Sequence, residues 1–263
     1  MRSELVNLIA MLACSMTCGC ELLHKPSDEL RHNSYIRSQK LFTGSQDLAK
    51  SQTYIILSGA SQFTAAMDLE KKKVDWFGGE RGFSSGLAVG WEPDGYLITA
   101  AHTLHATNFV LGRFDGKMDV RPARVIFKRD AKTHADFALI KVEARLEHCG
   151  VSDEKPKAGD QVFAVVGYRT ATGVAIGFAG GKVLSVEPDP VGGSLDLIRS
   201  DVPLWHGDSG GPLLSSNGRV VGINSGLSFT WRRHWADSFL LDNQFIQELI
   251  IKDRTLGAPN KAL

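Results

Sequence analysis

The sequence predicts an all-β protein: two strand-rich units, followed by one C-terminal helix. Three observations carry this. Short apolar runs recur at intervals of roughly ten residues, separated by Gly, Pro, Asn and Asp, which is the rhythm of a β-sandwich or barrel. A polar break at 147–157 (EHCGVSDEKPK) divides the runs into two series. Only near the end do apolar residues change to helical spacing, in DNQFIQELIIKD.

The first series is TYIIL, GLAVGW, YLITAA, FVLGRF, ARVIFK and FALIKV. EPDG (92–95) is the turn between the second and third runs, with Gly95 at the position that needs a positive φ. The second series is QVFAVVGY, VAIGFAGGKVLSVE, LDLIRSDV, PLLSS and RVVGINSG, and Asn217 with Gly218 predicts a tight hairpin between its last two members. Phe245, Ile246, Leu249 and Ile250 form one face of the closing helix, with Gly257 and Pro259 as stop signals beyond it.

A chain of 263 residues is long enough to bury about three quarters of its unfolded surface. Thirty basic against 29 acidic residues leave a formal charge of +1. Such a chain lacks the basic footprint that nucleic acid selects, so no nucleic-acid partner is expected. Of the four cysteines only Cys149 lies in the body of the chain, which excludes a disulfide framework there. Cys14, Cys18 and Cys20 sit in an apolar setting with no histidine or acid at finger-like spacing; no metal and no cofactor are expected.

Those three cysteines belong to a different feature. LVNLIAMLACSM (5–16) is too short to cross a bilayer, which takes about 20 residues, but suits the hydrophobic region of a secretory signal. Residues 1–20 therefore read as a signal peptide, with a frayed amphipathic terminus as the alternative. TCGC (17–20) resembles a bacterial lipoprotein processing site: Gly19 precedes Cys20, the lipidation candidate, although Thr17 stands where leucine is usual. Cys14 in MLAC is a second candidate. Residues 21–50 are polar and aperiodic, and read as a tether or extension. Export to the periplasm or cell envelope, with a membrane tether through an N-terminal lipid, is the expectation these features carry.

The stretch WHGDSGGP (205–212) sets Ser209 among three glycines and a proline. A serine hydroxyl is a poor nucleophile unless a positioned base, usually histidine, takes its proton, and that imidazole needs an acid to orient it. Among eight histidines, His24 and His32 fall in the polar extension, His148 in the break, and His234 in a stretch rich in Trp and Arg (231–235) that reads as a surface loop. His206 is three residues from Ser209. His102 differs, because it ends the strand run YLITAAH behind two small alanines. The acid candidate is Asp136, at the mouth of the run FALIK. Each signal alone has a bland reading, as a structural histidine or a turn aspartate.

Together TAAH (99–102), ADF (135–137) and GDSGGP (207–212) resemble the His, Asp and Ser motifs of the trypsin-like serine peptidases, in that family's order. SGLAV (85–89), DGYLIT (94–99), AGDQV (158–162), RSDV (199–202) and GINS (222–225) are similar to the Do-like (Deg/HtrA) bacterial branch. The resemblance runs over about 50–252 and implies two six-stranded antiparallel β-barrels with a C-terminal helix. The peptidase domain would occupy 51–256: barrel one at 51–146, a linker at 147–157, and barrel two plus helix at 158–256. It implies a serine endopeptidase acting on proteins or peptides, with His102, Asp136 and Ser209 catalytic and the N–H groups of Gly207 and Ser209 forming an oxyanion hole. Pro203, Leu204, Asn224, Ser225, Gly226 and Leu227 would line the substrate pocket. No acid stands at its base, which points to a small or medium apolar residue before the cleaved bond. Asp208 stands where the Do-like branch usually has asparagine, and is expected either to pair with a cation or to face solvent. The rival readings are a catalytically silent peptidase-fold scaffold and an acyl hydrolase. Against the latter, GDSGG has the spacing of a nucleophile elbow, but the histidine comes first and the surroundings are β.

Overall fold

Apolar runs bounded by turn residues fold here as antiparallel strands. The computed structural model describes residue 34 and residues 39–59, 83–129, 136–152, 154–170, 173–188, 195–230 and 233–257. Residues 1–20, expected to be a signal peptide, lie outside the described residues, Cys20 among them. The first unit contains β1 (Thr53–Gly59), β2 (Phe83–Glu92), β3 (Tyr96–Thr99), β4 (Thr107–Phe114), β5 (Lys117–Pro122), β6 (Arg124–Lys128) and β7 (Ala138–Lys141). They form one sheet in the order β5-β4-β1-β2-β3-β7-β6. Its two edge strands are consecutive in sequence, separated only by Ala123, whose N–H donates to Asn108 O at 2.9 Å. The chain itself therefore joins the edges. In place of the expected closed six-stranded barrel, the first unit is thus a seven-stranded sheet curled round its own apolar interior, called barrel one below. Ile56, Leu97, Val110, Phe114 and Ile140 fill it.

The second unit contains β8 (Gln161–Thr170), β9 (Gly173–Glu187), β10 (Leu197–Ser200), β11 (Pro212–Ser215), β12 (Val220–Thr230) and β13 (Arg233–Leu240). These close into a barrel in the order β10-β13-β12-β11-β8-β9. The stretch read as a surface loop at 231–235 is in part a strand: β13 starts at Arg233, paired with Thr230, and the Arg199 guanidinium lies 5.8 Å from the ring centre of Trp235. Cross-strand pairing along a long hairpin overrides a loop-like composition there. The register of β12 shifts between Asn224 and Gly226, a bulge that re-aims Ser225.

A core cluster shared by both barrels lies between them, with Val89, Ile98 and Leu139 on one side and Phe163, Val165 and Ile223 on the other. The polar break is stitched to both. Cys149 N–H donates to Gly90 O at 3.0 Å, Val220 N–H donates to Gly150 O at 2.9 Å, and Ser152 N–H donates to Val220 O at 2.9 Å. Burial pushes the Cys149 thiol up to about 12, which leaves it unreactive near neutral pH.

The two ends of the domain also cross between barrels. α1 (Gln46–Ser51) is capped by Ser45, whose Oγ accepts from Leu48 N–H at 3.2 Å. Just before it, Phe42 packs on Phe163 with ring centres 4.8 Å apart, and Thr43 N–H donates to Ser216 O at 2.7 Å. The stretch read as a polar tether at 21–50 is thus docked on barrel two at Phe42 and Thr43, because one aromatic side chain packs against the core there. At the other end, α2 (Asn243–Gly257) begins where Asp242 Oδ1 accepts from Phe245 N–H at 3.1 Å. Ile246 and Ile250 are buried in the shared cluster. Asp253 accepts two bonds from Arg124, at 2.8 and 3.0 Å, and one from Tyr96 OH at 2.8 Å, which fastens the helix to barrel one. No helix among the described residues is long and apolar enough to cross a membrane.

Phe42→Ala is expected to destabilise the protein by about 2 kcal/mol, less than a fully buried phenylalanine would cost, as read from urea unfolding. An unchanged unfolding midpoint would show that this segment adds nothing to the fold.

Candidate active site

β3 stops at Thr99, its last residue paired with β2. The chain then turns through a single 3-10 turn, Ala101–Thr103, packed so closely that Ala100 and Ala101 are fully buried. Only small residues fit behind the turn, and His102 is carried out to the surface with its side chain 43% exposed. Asp136 sits just before β7 and is buried. Its Oδ1 accepts from His102 N–H at 2.8 Å, and its Oδ2 is hydrogen-bonded to His102 Nδ1. Ser225 Oγ donates to the same Oδ2 at 2.5 Å. Burial on its own would raise the Asp136 carboxyl, but the bonds from His102 and Ser225 outweigh it and hold the group below its ordinary value. An ionised acceptor at Nδ1 fixes the proton there and leaves Nε2 of His102 as the basic nitrogen.

The loop carrying Ser209 is shaped by two glycines. Asp208 N–H donates to Trp205 O at 3.0 Å, closing a turn whose third residue, Gly207, has φ of 96°. A type II turn demands this conformation there, and since a Cβ at Gly207 would meet nothing within 4 Å, conformation alone selects the glycine. At Gly210 both conformation and space do so. Its φ is 84°, and a Cβ would lie 2.0 Å from Leu87 O and 2.2 Å from Thr99 Oγ1. Ser209 is held against barrel one at that point, where its carbonyl accepts from Leu87 N–H at 2.7 Å. Asp208 is buried, with Oδ1 accepting from Gly167 N–H at 2.9 Å and Oδ2 from Trp205 N–H at 2.7 Å. The solvent-facing alternative for Asp208 is thereby overturned: its carboxylate turns inward onto main-chain N–H groups of its own turn and of β8.

These elements bring His102 and Ser209 together across the two barrels on the wall of a cleft of about 300 Å³, with Asp136 bound to His102 behind it. Leu204, Asn224, Ser225 and Gly226, all expected in the pocket, line it. Pro203 is buried outside that lining, and the side chain of Leu227 lies outside the described residues. Ser225 does more than line the cleft. Besides its bond to Asp136, its carbonyl accepts from Ser209 Oγ at 3.3 Å. Asn224 is turned inward, with Oδ1 accepting from Ser238 Oγ at 3.0 Å. Sequence reasoning did not place Trp205 and His206 in the cleft wall, where their rings meet edge to face with centres 5.0 Å apart. Their only signal was adjacency to the glycine-rich motif. Among the described residues no group of three or more His, Cys, Asp or Glu could hold a metal.

A family model of the trypsin-like peptidase domain matches residues 85–223, just over half of the chain. A protein of Ectopseudomonas mendocina named "probable periplasmic serine endoprotease DegP-like" is 31% identical over 156 residues, which is 56% of this chain and 31% of that protein. A protein of the same name from Pseudomonas putida is 33% identical over 137 residues, 50% of this chain and 27% of its own. The chain thus spans less than a third of the length of these relatives. The fold is similar to that of a serine endoprotease from Yersinia pestis, with a TM-score of 0.53 and 18% identity over 79% of this chain and 66% of that one. On the matched motifs and the two-barrel architecture, the chain belongs to the family of trypsin-like peptidase domains.

Proposed function

We propose that this protein is a serine endopeptidase in which His102, Asp136 and Ser209 act as a triad. The observation that supports it most is the convergence, in one cleft, of a serine on a glycine-shaped turn with a histidine whose Nδ1 is bound to a buried carboxylate. Ser209 Oγ turns from Ser225 O toward His102 Nε2, gives up its proton there and attacks the peptide carbonyl carbon. The N–H groups of Gly207 and Ser209 donate to the oxyanion; losing one such donor typically costs about 3 kcal/mol of transition-state stabilisation. His102 then returns the proton to the leaving amine as the C–N bond breaks. Water, deprotonated by the same nitrogen, releases the acyl group and restores the serine. Asp136 orients the imidazole and stabilises its cationic form. The substrates are proteins or peptides with a small or medium apolar residue before the cleaved bond, a preference supported by Leu204 and Gly226 in the cleft wall. The chain is exported to the periplasm and tethered by acylation of Cys20. The apolar segment at 5–16 and the names of the DegP-like relatives support that location.

With a fluorescent casein as substrate, Ser209→Ala is expected to abolish cleavage while leaving the thermal midpoint close to wild type. Asp136→Asn should lower kcat by about 10⁴. A folded wild-type protein that cleaves nothing would favour the silent-scaffold reading, and an Asp136→Asn enzyme near the wild-type rate would remove Asp136 from the triad. The carboxylate also makes a prediction for acid stability. Its folded value lies below the 3.8 of the unfolded chain, so its stabilisation is fully present above that value and disappears as pH falls through the folded one. Thermal midpoints of Asp136→Asn should therefore fall less steeply than those of wild type below about pH 4; parallel curves would contradict this. For the tether, labelling of cells with an alkynyl fatty acid should mark the wild-type protein but not Cys20→Ser. A label retained in Cys20→Ser and lost in Cys14→Ser would move the site to Cys14.

A further inference from the structure

We propose that Thr99 is a positioning residue for this reaction, fixing the Ser209 main chain relative to the turn that carries His102. This rests on the serine-peptidase reading above. Thr99 is fully buried at the end of β3, and three elements of the site meet at its hydroxyl. The first is β2, where Thr99 Oγ1 donates to Leu87 O at 2.7 Å. The second is the 3-10 turn holding His102, where Thr103 Oγ1 lies 3.1 Å away and itself donates to Ala100 O at 2.7 Å. The third is the serine loop, since a Cβ at Gly210 would stand 2.2 Å from Thr99 Oγ1.

The topology explains why a hydroxyl is placed there. The last β2–β3 pair is Ala88 with Thr99, so Leu87 is the first residue past the end of the ladder. Its two main-chain groups, which a longer β3 would have satisfied, are taken up separately. Its N–H donates to Ser209 O at 2.7 Å, and its C=O accepts from Thr99 Oγ1. Thr99 therefore sets the orientation of the residue on which the nucleophile's own carbonyl is hung. A buried carbonyl without a donor is unfavourable, so removal of the hydroxyl leaves Leu87, and with it Ser209, to settle elsewhere. Valine keeps the branched shape and suits a strand equally well, so the valine variant is expected to fold, with a lower thermal midpoint from the unpaired Leu87 carbonyl.

The test uses Thr99→Val and Thr99→Ser in the whole chain, with a p-nitroanilide peptide carrying valine or alanine before the cleaved bond. kcat and KM are measured separately, alongside the thermal midpoint. Thr99→Val should lose roughly ten- to a hundred-fold in kcat, in keeping with a sub-ångström to ångström displacement of the nucleophile, and change KM by no more than about two-fold. Thr99→Ser, which keeps the hydroxyl, should stay near the wild-type kcat. Wild-type kcat in a folded Thr99→Val would overturn the inference, as would a loss that the serine variant shares. If the valine variant does not fold, Thr99→Ala takes its place with the same expectations. A wild-type protein without any turnover would instead remove the peptidase reading, and the inference with it.

Discussion

Ser209 belongs to barrel two, yet its carbonyl is bound to barrel one, by Leu87 N–H at 2.7 Å. That main-chain bond sets the geometry of everything around it. It draws the serine loop so close to β2 and β3 that Gly210 cannot carry a Cβ, whereas at Gly207 the positive φ of the turn alone requires glycine. The glycines of the motif are thus explained by distinct demands, one for conformation and one for conformation with contact. The rest of the molecule supports this junction. The shared apolar cluster, the stitched 147–157 segment, the docked Phe42 and the α2 clamp on Arg124 and Tyr96 each hold one barrel to the other.

The same site buries two carboxylates, which would be strongly unfavourable without donors. Asp136 is met by the His102 N–H and Nδ1 and by Ser225 Oγ, and Asp208 by the N–H groups of Gly167 and Trp205. The two do different work. Asp136 acts on a side chain and so decides which nitrogen of His102 is basic, whereas Asp208 acts on the main chain and braces the turn from Trp205 to Asp208. Ser225 links the two halves, because the bulge in β12 lets its hydroxyl reach Asp136 while its carbonyl receives Ser209 Oγ. Charged and polar groups near the cleft are in this way engaged with each other, and the wall left toward a substrate is formed largely by Leu204, Gly226 and the rings of Trp205 and His206.

Much of this was legible in the sequence for a physical reason. The apolar runs that became β1 to β4, β8, β11 and β12 bury most of their described residues, and burial is what hydrophobic patterning records. His102 and Asp136 could be singled out because each stands at the end of a strand run beside small or apolar residues. What stayed hidden lacked such a signal. β5 is KMDVRP, exposed or half-exposed throughout, so its pairing with β4 is written in the backbone and not in its side chains. β13 begins among Arg, His and Trp, where hairpin pairing decides the conformation. Asp208 accepts from the peptide N–H groups of Gly167 and Trp205, partners that no residue type announces. Counting back from the serine puts Pro203 in the pocket, but Pro203 is buried and does not line the cleft.

Everything proposed for this protein rests on the two barrels bringing a reactive Ser209 and its base His102 into one cleft. Reaction of the purified protein with a fluorophosphonate probe, read by intact mass beside Ser209→Ala, tests this most directly. A single adduct is expected on the wild-type protein and none on the variant. A folded wild-type protein that takes up no probe, or an adduct that persists in Ser209→Ala, would contradict it.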